Sequence, residues 1–317
     1  MGHYGGRSQV RGRKQVIGFT VIGGYLGAGK TTLLNHFLAA DHGIRIALLV
    51  NDFGEINIDA ALIDSKTDSQ INLTNGCICC SLTDGFVEAI DTLMIMQPKP
   101  QHIVVEASGV ANVATLAQYG FAPGLRLDGI LVLADAENVM AKANDKYVAS
   151  TVRRQLESAD LIILNKTDLL TETQLQERRE WLVRTFPGPS ILETSFGMVP
   201  ISLLMDVHRN QTLPEPAQLE HENYSTWSFR SNAAVCPNDL ELFVAALPAD
   251  IIRAKGIALL TDGSHQLVQV VGPRKSLDPI ESDDLTTQIV AIGLSRDFPA
   301  DELRRLAEVF LESTKED

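Results

Sequence analysis

The sequence predicts an α/β protein with a mostly parallel sheet flanked by helices, followed by a smaller α+β domain. Short apolar, strand-like runs alternate with helical patterns from residue 16 to about residue 204, which is the order of a parallel sheet with helices on both faces. A glycine-rich segment, 24–31, lies between the first strand-like run and the first helix-like run. Near Arg209 the chain becomes polar and proline-containing, so we expect a domain linker there.

The elements of the first domain follow from hydrophobic periodicity. The run 16–22 is apolar and partly β-branched, and apolar residues recur at helical spacing after residue 31. Further strands are predicted at 44–50, 70–73, 103–106, 129–134, 161–164 and 191–194. Helices are predicted at 31–40, 82–96, 111–119, 147–158, 171–185 and 200–206.

The second domain is expected to be smaller and of mixed architecture. Its predicted strands are 224–229, 257–260, 266–271 and 288–292, and its predicted helices are 238–247 and 301–312. The predicted organisation is a disordered basic tail at 1–15, the first domain at 16–208, a linker at 209–222 and the second domain at 223–317.

Composition narrows the function classes. The chain has 317 residues, of which 45% are hydrophobic, so it can fill a sizeable core. Its net charge of −13 argues against nucleic acid as a partner. No apolar run reaches membrane-spanning length and the basic N-terminus lacks the apolar segment of a signal peptide, so we expect no membrane partner and a cytoplasmic location.

The segment 24–31 fits the phosphate-loop pattern G-x-x-x-x-G-K-[ST]. Glycines let successive backbone N–H groups turn toward a polyphosphate, and the N-terminus of the following helix adds partial positive charge. Lys30 is expected to reach the β- and γ-phosphates, and the Thr31 hydroxyl to bind Mg²⁺. The nucleotide-binding residues predicted here are Gly24, Gly27, Ala28, Gly29, Lys30, Thr31 and Thr32.

A second motif, Asn165-Lys166-Thr167-Asp168, follows the strand 161–164 and favours guanine as the base. The Asp168 carboxylate can accept hydrogen bonds from the N1–H and N2–H₂ groups of guanine, which adenine cannot supply. Thr194 and Ser195 lie at the end of the next strand. They are candidates to offer backbone N–H groups to the base, although a helix-capping role is also open.

The strand 103–106 ends in an acid, and a glycine follows three residues later. Glu106 lies where a phosphate-loop enzyme keeps its second Mg²⁺-side carboxylate, and the Gly109 N–H is expected to approach the γ-phosphate. The alternative for Glu106 is a buried strand-end acid that caps the following turn.

The loop after the second strand, 51–59, is rich in acids and is a plausible first switch. Asp59 or Asp52 could hold Mg²⁺ through water or orient the attacking water, and Glu55 could turn toward a second metal. Each of these acids taken singly could instead be a solvated loop residue.

Cys77-Ile78-Cys79-Cys80 concentrates three of the four cysteines of the chain in four residues. Thiolates are soft ligands that suit Zn²⁺, Cu(I) or iron, and three of them leave one tetrahedral position open. An open position suits metal transfer, whereas a redox pair or simply buried thiols are the alternatives. The fourth cysteine, Cys236, is expected to be a lone buried thiol, and Trp181 and Trp227 to be packing residues.

Taken together, the segments 24–31, 51–55, 75–80, 106–109 and 165–168 resemble, in order and spacing, the CobW family of P-loop GTPases. The resemblance covers roughly residues 17–206, and 227–230 and 253–256 look more loosely like the family's C-terminal domain. It implies a P-loop NTPase fold and a GTP hydrolase of the group that includes the urease and hydrogenase nickel-insertion GTPases. It also implies that the cysteines bind Zn²⁺, or Co²⁺, Fe²⁺ or Ni²⁺, for delivery to a target protein.

The chain departs from the family pattern at two positions of the first switch, where Asp52 replaces a glutamate and Asn57 replaces a glycine. It also has no histidine-rich tract. From the motifs and the resemblance together, we expect a Mg²⁺-dependent GTPase that binds GTP and GDP. We expect it to hold a transition metal at the cysteines with Glu55 and to hand the metal to a client metalloprotein. The expected catalytic residues are Lys30, Thr31, Glu106 and Asp59.

Two rival functions stay open from sequence. One is a redox-sensing regulatory GTPase in which the cysteines cycle between thiol and disulfide, and the other is a P-loop kinase acting on a small molecule. The sequence leaves the oligomeric state open, a homodimer included.

Overall fold

The structure is a computed structural model that describes residues 16–39, 45–50, 70–71, 84–204, 224–280, 282, 285–295 and 298–311. The predicted basic tail, the linker 209–222 and the segments that hold the first switch and the cysteine motif lie outside the described residues. The three boundaries between the four predicted segments therefore stay predictions.

The first sheet is parallel and has seven strands, as the alternating pattern predicts. The spatial order is β3-β2-β4-β1-β5-β6-β7, so the glycine-rich segment leaves the central strand β1. The strands are β1 (Ile17–Gly24), β2 (Ile46–Val50), β3 (Gln70–Ile71), β4 (His102–Glu106), β5 (Leu125–Asp135), β6 (Leu161–Asn165) and β7 (Ser190–Glu193).

Helices cover both faces of this sheet, as predicted. Buried residues of α2 to α6 form one apolar layer, whereas α1 and α7 lie on the opposite face. The helices are α1 (Lys30–Ala39), α2 (Asp84–Ile95), α3 (Val113–Ala117), α4 (Val139–Ala143), α5 (Ala149–Glu157), α6 (Glu172–Thr185) and α7 (Ile201–Leu204). The short helix α4 was not predicted. Helix α6 begins one residue after Thr171, which caps it in a capping box with Gln174.

The second sheet is antiparallel, with the order β11-β10-β9-β12-β8. Its strands are β8 (Tyr224–Ser231), β9 (Ile251–Leu259), β10 (His265–Val271), β11 (Arg274–Ile280) and β12 (Thr287–Leu294), and its helices are α8 (Pro237–Ala246) and α9 (Ala300–Phe310). The sequence predicted only the last third of β9 and missed β11. Strand β11 is a half-exposed edge strand that contains Pro279, so it lacks the apolar run of a central strand.

One face of the second sheet packs on the first domain and the other face packs on α8 and α9. Ile252, Val271, Val290 and Ile292 join the apolar layer that holds α1 and α7. The opposite layer contains Leu240, Phe243 and Leu303 from α8 and α9. The second sheet therefore shares a core with the helix that follows the glycine-rich segment.

A polar cluster is buried inside this contact between the sheets. The Asp128 carboxylate of β5 accepts hydrogen bonds from Arg253 Nη2 at 2.6 Å and from Gln269 Nε2 at 2.8 Å. His102 of β4 lies beside it, with its Nε2 atom 2.8 Å from the hydroxyl of Thr20. The Asp128 side chain is 0% exposed and the Arg253 side chain 5%, so this ion pair is excluded from water.

No helix in the part of the chain that the structure describes is long and apolar enough to cross a membrane.

Candidate nucleotide-binding site

The phosphate loop leaves β1 and enters α1 through glycines with left-handed backbone. Gly24, Gly27 and Gly29 have φ values of 139°, 80° and 102°. A Cβ atom at Gly24 would lie 2.6 Å from the Leu133 carbonyl oxygen, and one at Gly29 would overlap the side-chain amide of Asn165. Both conformation and space therefore demand glycine at these two positions.

Lys30 lies in the first turn of α1 with its side chain folded into the loop. Its Nζ atom donates a hydrogen bond to the Gly24 carbonyl oxygen at 2.8 Å, and the residue is 9% exposed. The ammonium is thus held where the glycine-rich backbone turns, which is the position from which a P-loop lysine reaches phosphate. Thr31 follows at the start of the same helix and is half-buried.

Glu106 ends β4 directly beside the strand that feeds the phosphate loop. It pairs in register with Ile22 of β1 and is 3% exposed. The carboxyl ends of adjacent parallel strands lie at one edge of the sheet, so Glu106 and the loop share that edge. The hydroxyl of Thr31 and the carboxylate of Glu106 are hard oxygen donors, a set that suits Mg²⁺.

The turn after Glu106 contacts the phosphate loop. The Ala111 N–H donates to the Ser108 carbonyl oxygen at 3.0 Å and closes a turn with Gly109 inside it. A Cβ atom at Gly109 would lie 2.9 Å from the backbone nitrogen of Leu26, so only glycine lets the turn approach this closely. The structure thus brings the predicted switch glycine against the loop.

Asn165 joins the phosphate loop to the loop after β7. Its Nδ2 atom donates to the Ala28 carbonyl oxygen at 2.9 Å, and its Oδ1 atom accepts from the Gly197 N–H at 2.9 Å. The side chain is buried at 2% exposure. Asn165 therefore holds the phosphate loop and the loop after β7 together, while the other residues of its motif stay accessible.

Asp168 lies in the 3₁₀ turn after β6 and is exposed. Its backbone N–H donates to Ser195 Oγ at 3.2 Å, and the Thr167 and Ser195 hydroxyls lie 2.9 Å apart. The Thr194 N–H donates to the Leu164 carbonyl oxygen at 2.9 Å, so this N–H is already engaged by β6. Ser195 is consequently the better candidate of the two for a contact with the base.

The sequence analysis missed Asp135, which fixes Lys166. Asp135 Oδ2 accepts a hydrogen bond from Lys166 Nζ at 2.9 Å, and Lys166 has a left-handed φ of 65°. Burial opposes the charge on Asp135, but hydrogen bonds from Lys166 and Asn138 hold the pKa of its carboxyl below the ordinary value. Asp135 ends β5 as Glu106 ends β4, and an acid at a strand end was the signal that could have identified it.

The metal-binding half of the predicted site lies outside the described residues. This holds for Cys77, Cys79, Cys80, Glu55 and Asp59, and for Asp52 as well. Among the residues that the structure does describe, no group of three or more His, Cys, Asp or Glu side chains could hold a metal ion.

The structure describes three residues outside the motifs for which the sequence analysis made a prediction, namely Cys236, Trp181 and Trp227. Cys236 is exposed just before α8, so the prediction of a buried thiol is wrong; the residue precedes Pro237, at the helix N-cap, where the chain turns on the surface. Trp181 is confirmed as a packing residue at 8% exposure. Trp227 stacks on Phe229, with ring centroids 6.1 Å apart.

Comparison with known proteins supplies the family. Residues 18–191 match the model of the CobW/HypB/UreG nucleotide-binding domain, and residues 224–311 match that of the cobalamin synthesis protein cobW C-terminal domain. The zinc chaperone YjiA of Escherichia coli is 31% identical over 269 residues, which are 81% of each chain. The zinc-regulated GTPase metalloprotein activator 1 of Schizosaccharomyces pombe is 31% identical over 200 residues, which are 59% of this chain and 48% of the relative.

Among solved structures, Zn(II)-bound YjiA GTPase from E. coli is similar at 26% identity with a TM-score of 0.46, covering 93% of this chain and 99% of that one. The nucleotide-binding model spans more than half of this chain, and the motif resemblance noted from the sequence is confirmed. The chain belongs to the CobW/HypB/UreG family of nucleotide-binding proteins.

Proposed function

We propose that this chain is a GTP-hydrolysing metallochaperone that carries Zn²⁺ or a similar transition metal on its C-x-C-C cysteines and transfers it to a client metalloprotein. The observation that supports the nucleotide-binding part of this proposal is that the Asn165 side chain forms hydrogen bonds with both Ala28 and Gly197. Through this one residue the phosphate loop, the N-K-x-D motif and the loop after β7 form a single site.

GTP hydrolysis is the activity that the nucleotide-binding family and the names of some relatives support. The chain is a GTPase: it belongs to a nucleotide-binding family, and the fission yeast relative carries GTPase in its name. The same relatives are named zinc chaperone and metalloprotein activator, which supports a transition metal as cargo and a metalloprotein as client.

The residues at the sheet edge have distinct roles in the proposed reaction. Lys30 neutralises charge on the β- and γ-phosphates, and Thr31 and Glu106 would hold Mg²⁺. When bound, Mg²⁺ supplies positive charge at the β- and γ-phosphate oxygens as the terminal phosphoryl group is transferred to water. The Gly109 N–H donates a hydrogen bond to the γ-phosphate, and the Asp168 carboxylate accepts hydrogen bonds from the N1–H and N2–H₂ groups of guanine.

The metal half of the proposal rests on the sequence. Cys77, Cys79 and Cys80 supply three thiolates, with Glu55 as a fourth ligand and Asp59 as a candidate to orient water or hold Mg²⁺. The cysteines lie between the proposed first switch and β4 in the chain, so switch ordering by the γ-phosphate would change the metal site. The resulting coupling between GTP and metal is reciprocal.

The test is the Zn²⁺ affinity of the purified apo protein, measured by competition with a calibrated chelator. It is measured with Mg²⁺ and GDP, and again with Mg²⁺ and a non-hydrolysable GTP analogue. We expect the two affinities to differ about tenfold or more, which is roughly 1.4 kcal/mol of coupling. The difference should vanish in the Cys77→Ser, Cys79→Ser and Cys80→Ser variants.

A Cys236→Ser variant is the matched control, since this exposed thiol lies in the second domain and should leave Zn²⁺ affinity unchanged. Tight Zn²⁺ binding that ignores the nucleotide would make the site structural and contradict gating. Absence of tight binding, together with a reversible disulfide among the three cysteines, would favour the redox-sensing GTPase instead.

A further inference from the structure

We infer that Gln155 is a positioning residue for GTP hydrolysis, because its side-chain amide holds the turn 108–111 against the phosphate loop. The inference deepens the proposed function and rests on it, since it takes this turn to be the one that meets the γ-phosphate. Gln155 belongs to none of the sequence motifs.

The side-chain amide of Gln155 forms its hydrogen bonds with the turn 108–111. The residue lies in α5 and is 2% exposed. Its Nε2 atom donates to the Gly109 carbonyl oxygen at 3.2 Å and to the Ala111 carbonyl oxygen at 3.0 Å. Both protons of the amide are therefore used on two carbonyls that flank Val110, and both bonds cross from a helix to a loop.

The orientation of the amide follows from these bonds. Within the described structure, the Gln155 Oε1 atom is buried and accepts no hydrogen bond. A flipped amide would direct that oxygen at two carbonyl oxygens, which cannot donate, so the donor orientation is the one that satisfies the turn. A residue that merely filled this space would be apolar, as its buried neighbours Val152 and Leu156 are.

The turn is fixed from its other side by the phosphate loop. Gly109 packs so closely on Leu26 that a Cβ atom would lie 2.9 Å from the Leu26 backbone nitrogen. The turn thus lies between α5 and the loop, and Gln155 closes it from behind.

The hydrogen bond from Gln155 to the Gly109 carbonyl oxygen also fixes the direction of a backbone N–H group in the turn. Because a trans peptide is planar, its N–H points opposite to its C=O. With the Gly109 carbonyl bonded to Gln155, the Val110 N–H is directed away from α5. Without the amide this peptide loses one of its restraints. Since it adjoins the Gly109 N–H, the N–H groups of Gly109 and Val110 are then held less firmly in the direction that stabilisation of a phosphoryl transition state requires.

The experiment compares the Gln155→Met variant with the wild-type chain in Mg²⁺-dependent GTP hydrolysis, with KM, kcat and GDP affinity measured on the same preparations. Methionine keeps the length and packing of the side chain but has no donor. We expect kcat to fall about tenfold, since two neutral hydrogen bonds are lost. GDP affinity should stay within about twofold, because GDP lacks the γ-phosphate. An Arg154→Met variant, on the exposed side of α5, is the matched control.

A Gln155→Glu variant keeps the inference testable where the methionine variant is poorly folded. Its carboxyl group can donate only when protonated, so its kcat relative to wild type should rise as the pH is lowered. An unchanged kcat in both variants, or an equal loss of kcat and GDP affinity together with folding stability, would overturn the inference. A wild-type chain that does not hydrolyse GTP would instead refute the proposed function, so the two failures are distinguishable.

Discussion

The nucleotide edge of the first sheet and the cluster between the two sheets use similar charged side chains in opposite ways. At the nucleotide edge, Asp168 is exposed and the Lys166 side chain keeps 35% of its surface in contact with solvent. In the cluster, Asp128 and Arg253 are excluded from water and bonded to each other at 2.6 Å. The first arrangement leaves charge accessible to a ligand, whereas the second uses charge to fix one sheet on the other.

The electrostatics of the cluster follow from its burial. Burial alone would raise the pKa of Asp128, but the Arg253 guanidinium holds it well below the ordinary value. Burial lowers the pKa of His102 to about 3 and that of Lys255 to about 7. His102 is therefore neutral at physiological pH. The comparison teaches that exposure separates these two carboxylates: that of Asp168 is accessible to a ligand, whereas that of Asp128 is buried, paired and joins the two sheets.

The largest expected effect is loss of stability on breaking the buried pair. Arg253→Met leaves the Asp128 carboxylate buried without its cation, so the free energy of unfolding should fall by about 3 to 5 kcal/mol. GDP affinity of the folded protein should be unchanged, because the pair lies away from the nucleotide edge. Urea unfolding and a nucleotide titration measure the two quantities.

The control for this prediction is the double variant Asp128→Leu/Arg253→Met, which removes both charges. Replacing a buried ion pair by apolar residues is often nearly neutral, so most of the lost stability should return. A single variant that costs less than about 1 kcal/mol would show that the cluster does not fasten the sheets.

The next largest effect should fall on binding alone. Asp168→Asn replaces one of the two oxygens that accept from the N1–H and N2–H₂ groups of guanine with an NH₂ donor, so GDP affinity should drop about 100-fold, roughly 2.7 kcal/mol. The same change should improve binding of xanthosine diphosphate, because the asparagine amide can donate to the 2-oxo group. Since Asp168 is exposed, unfolding should change by less than about 0.5 kcal/mol.

Isothermal titration calorimetry with GDP and with xanthosine diphosphate measures the two affinities. The control is Asp262→Asn, at an exposed turn of the second domain. If Asp168→Asn bound GDP as the wild type does, the accessible carboxylate would have no role in base recognition.

The smallest of the three effects is a pH dependence of stability that originates in His102. Between pH 3 and 6.5 the unfolded chain binds a proton at this residue and the folded chain does not, so stability should fall as the pH falls. From pH 6.5 to 5 the loss should be about 1.6 kcal/mol. Asp128 contributes only below its ordinary value near 3.8, and Lys255 only above about 7.

Chemical unfolding at several pH values, compared between wild type and His102→Gln, isolates this contribution. Glutamine retains a donor toward the Thr20 hydroxyl but does not titrate, so its curve should be flatter in this range. Parallel curves for the two proteins would mean that His102 is not held neutral by burial.

The nucleotide edge could be predicted from sequence because each of its parts is a short contiguous segment. The phosphate-loop pattern, the strand-end acid and the N-K-x-D motif predicted Lys30, Glu106 and Asn165 as candidates, and the fold was predicted from the alternation of strands and helices. The structure places the three residues at one edge of the parallel sheet.

The supporting contacts could not be predicted in this way. Asp128 and Arg253 are 125 residues apart in the chain, and Gln155 and Gly109 are 46 apart. No local pattern connects such residues, since tertiary packing alone brings them together. The edge strand β11 was missed for a related reason, because its half-exposed, polar sequence is stabilised by pairing with β10.

The most direct test of the central claim is the affinity for a non-hydrolysable GTP analogue and for GDP, each measured in the presence of saturating Zn²⁺ and again with a strong chelator. Reciprocity requires Zn²⁺ to change the affinity for the analogue relative to GDP by the same factor by which the analogue, relative to GDP, changes Zn²⁺ affinity. We predict a change of about tenfold or more that is lost in the Cys77→Ser, Cys79→Ser and Cys80→Ser variants. A ratio of analogue to GDP affinity that is the same with and without Zn²⁺ would contradict a GTP-gated metal carrier.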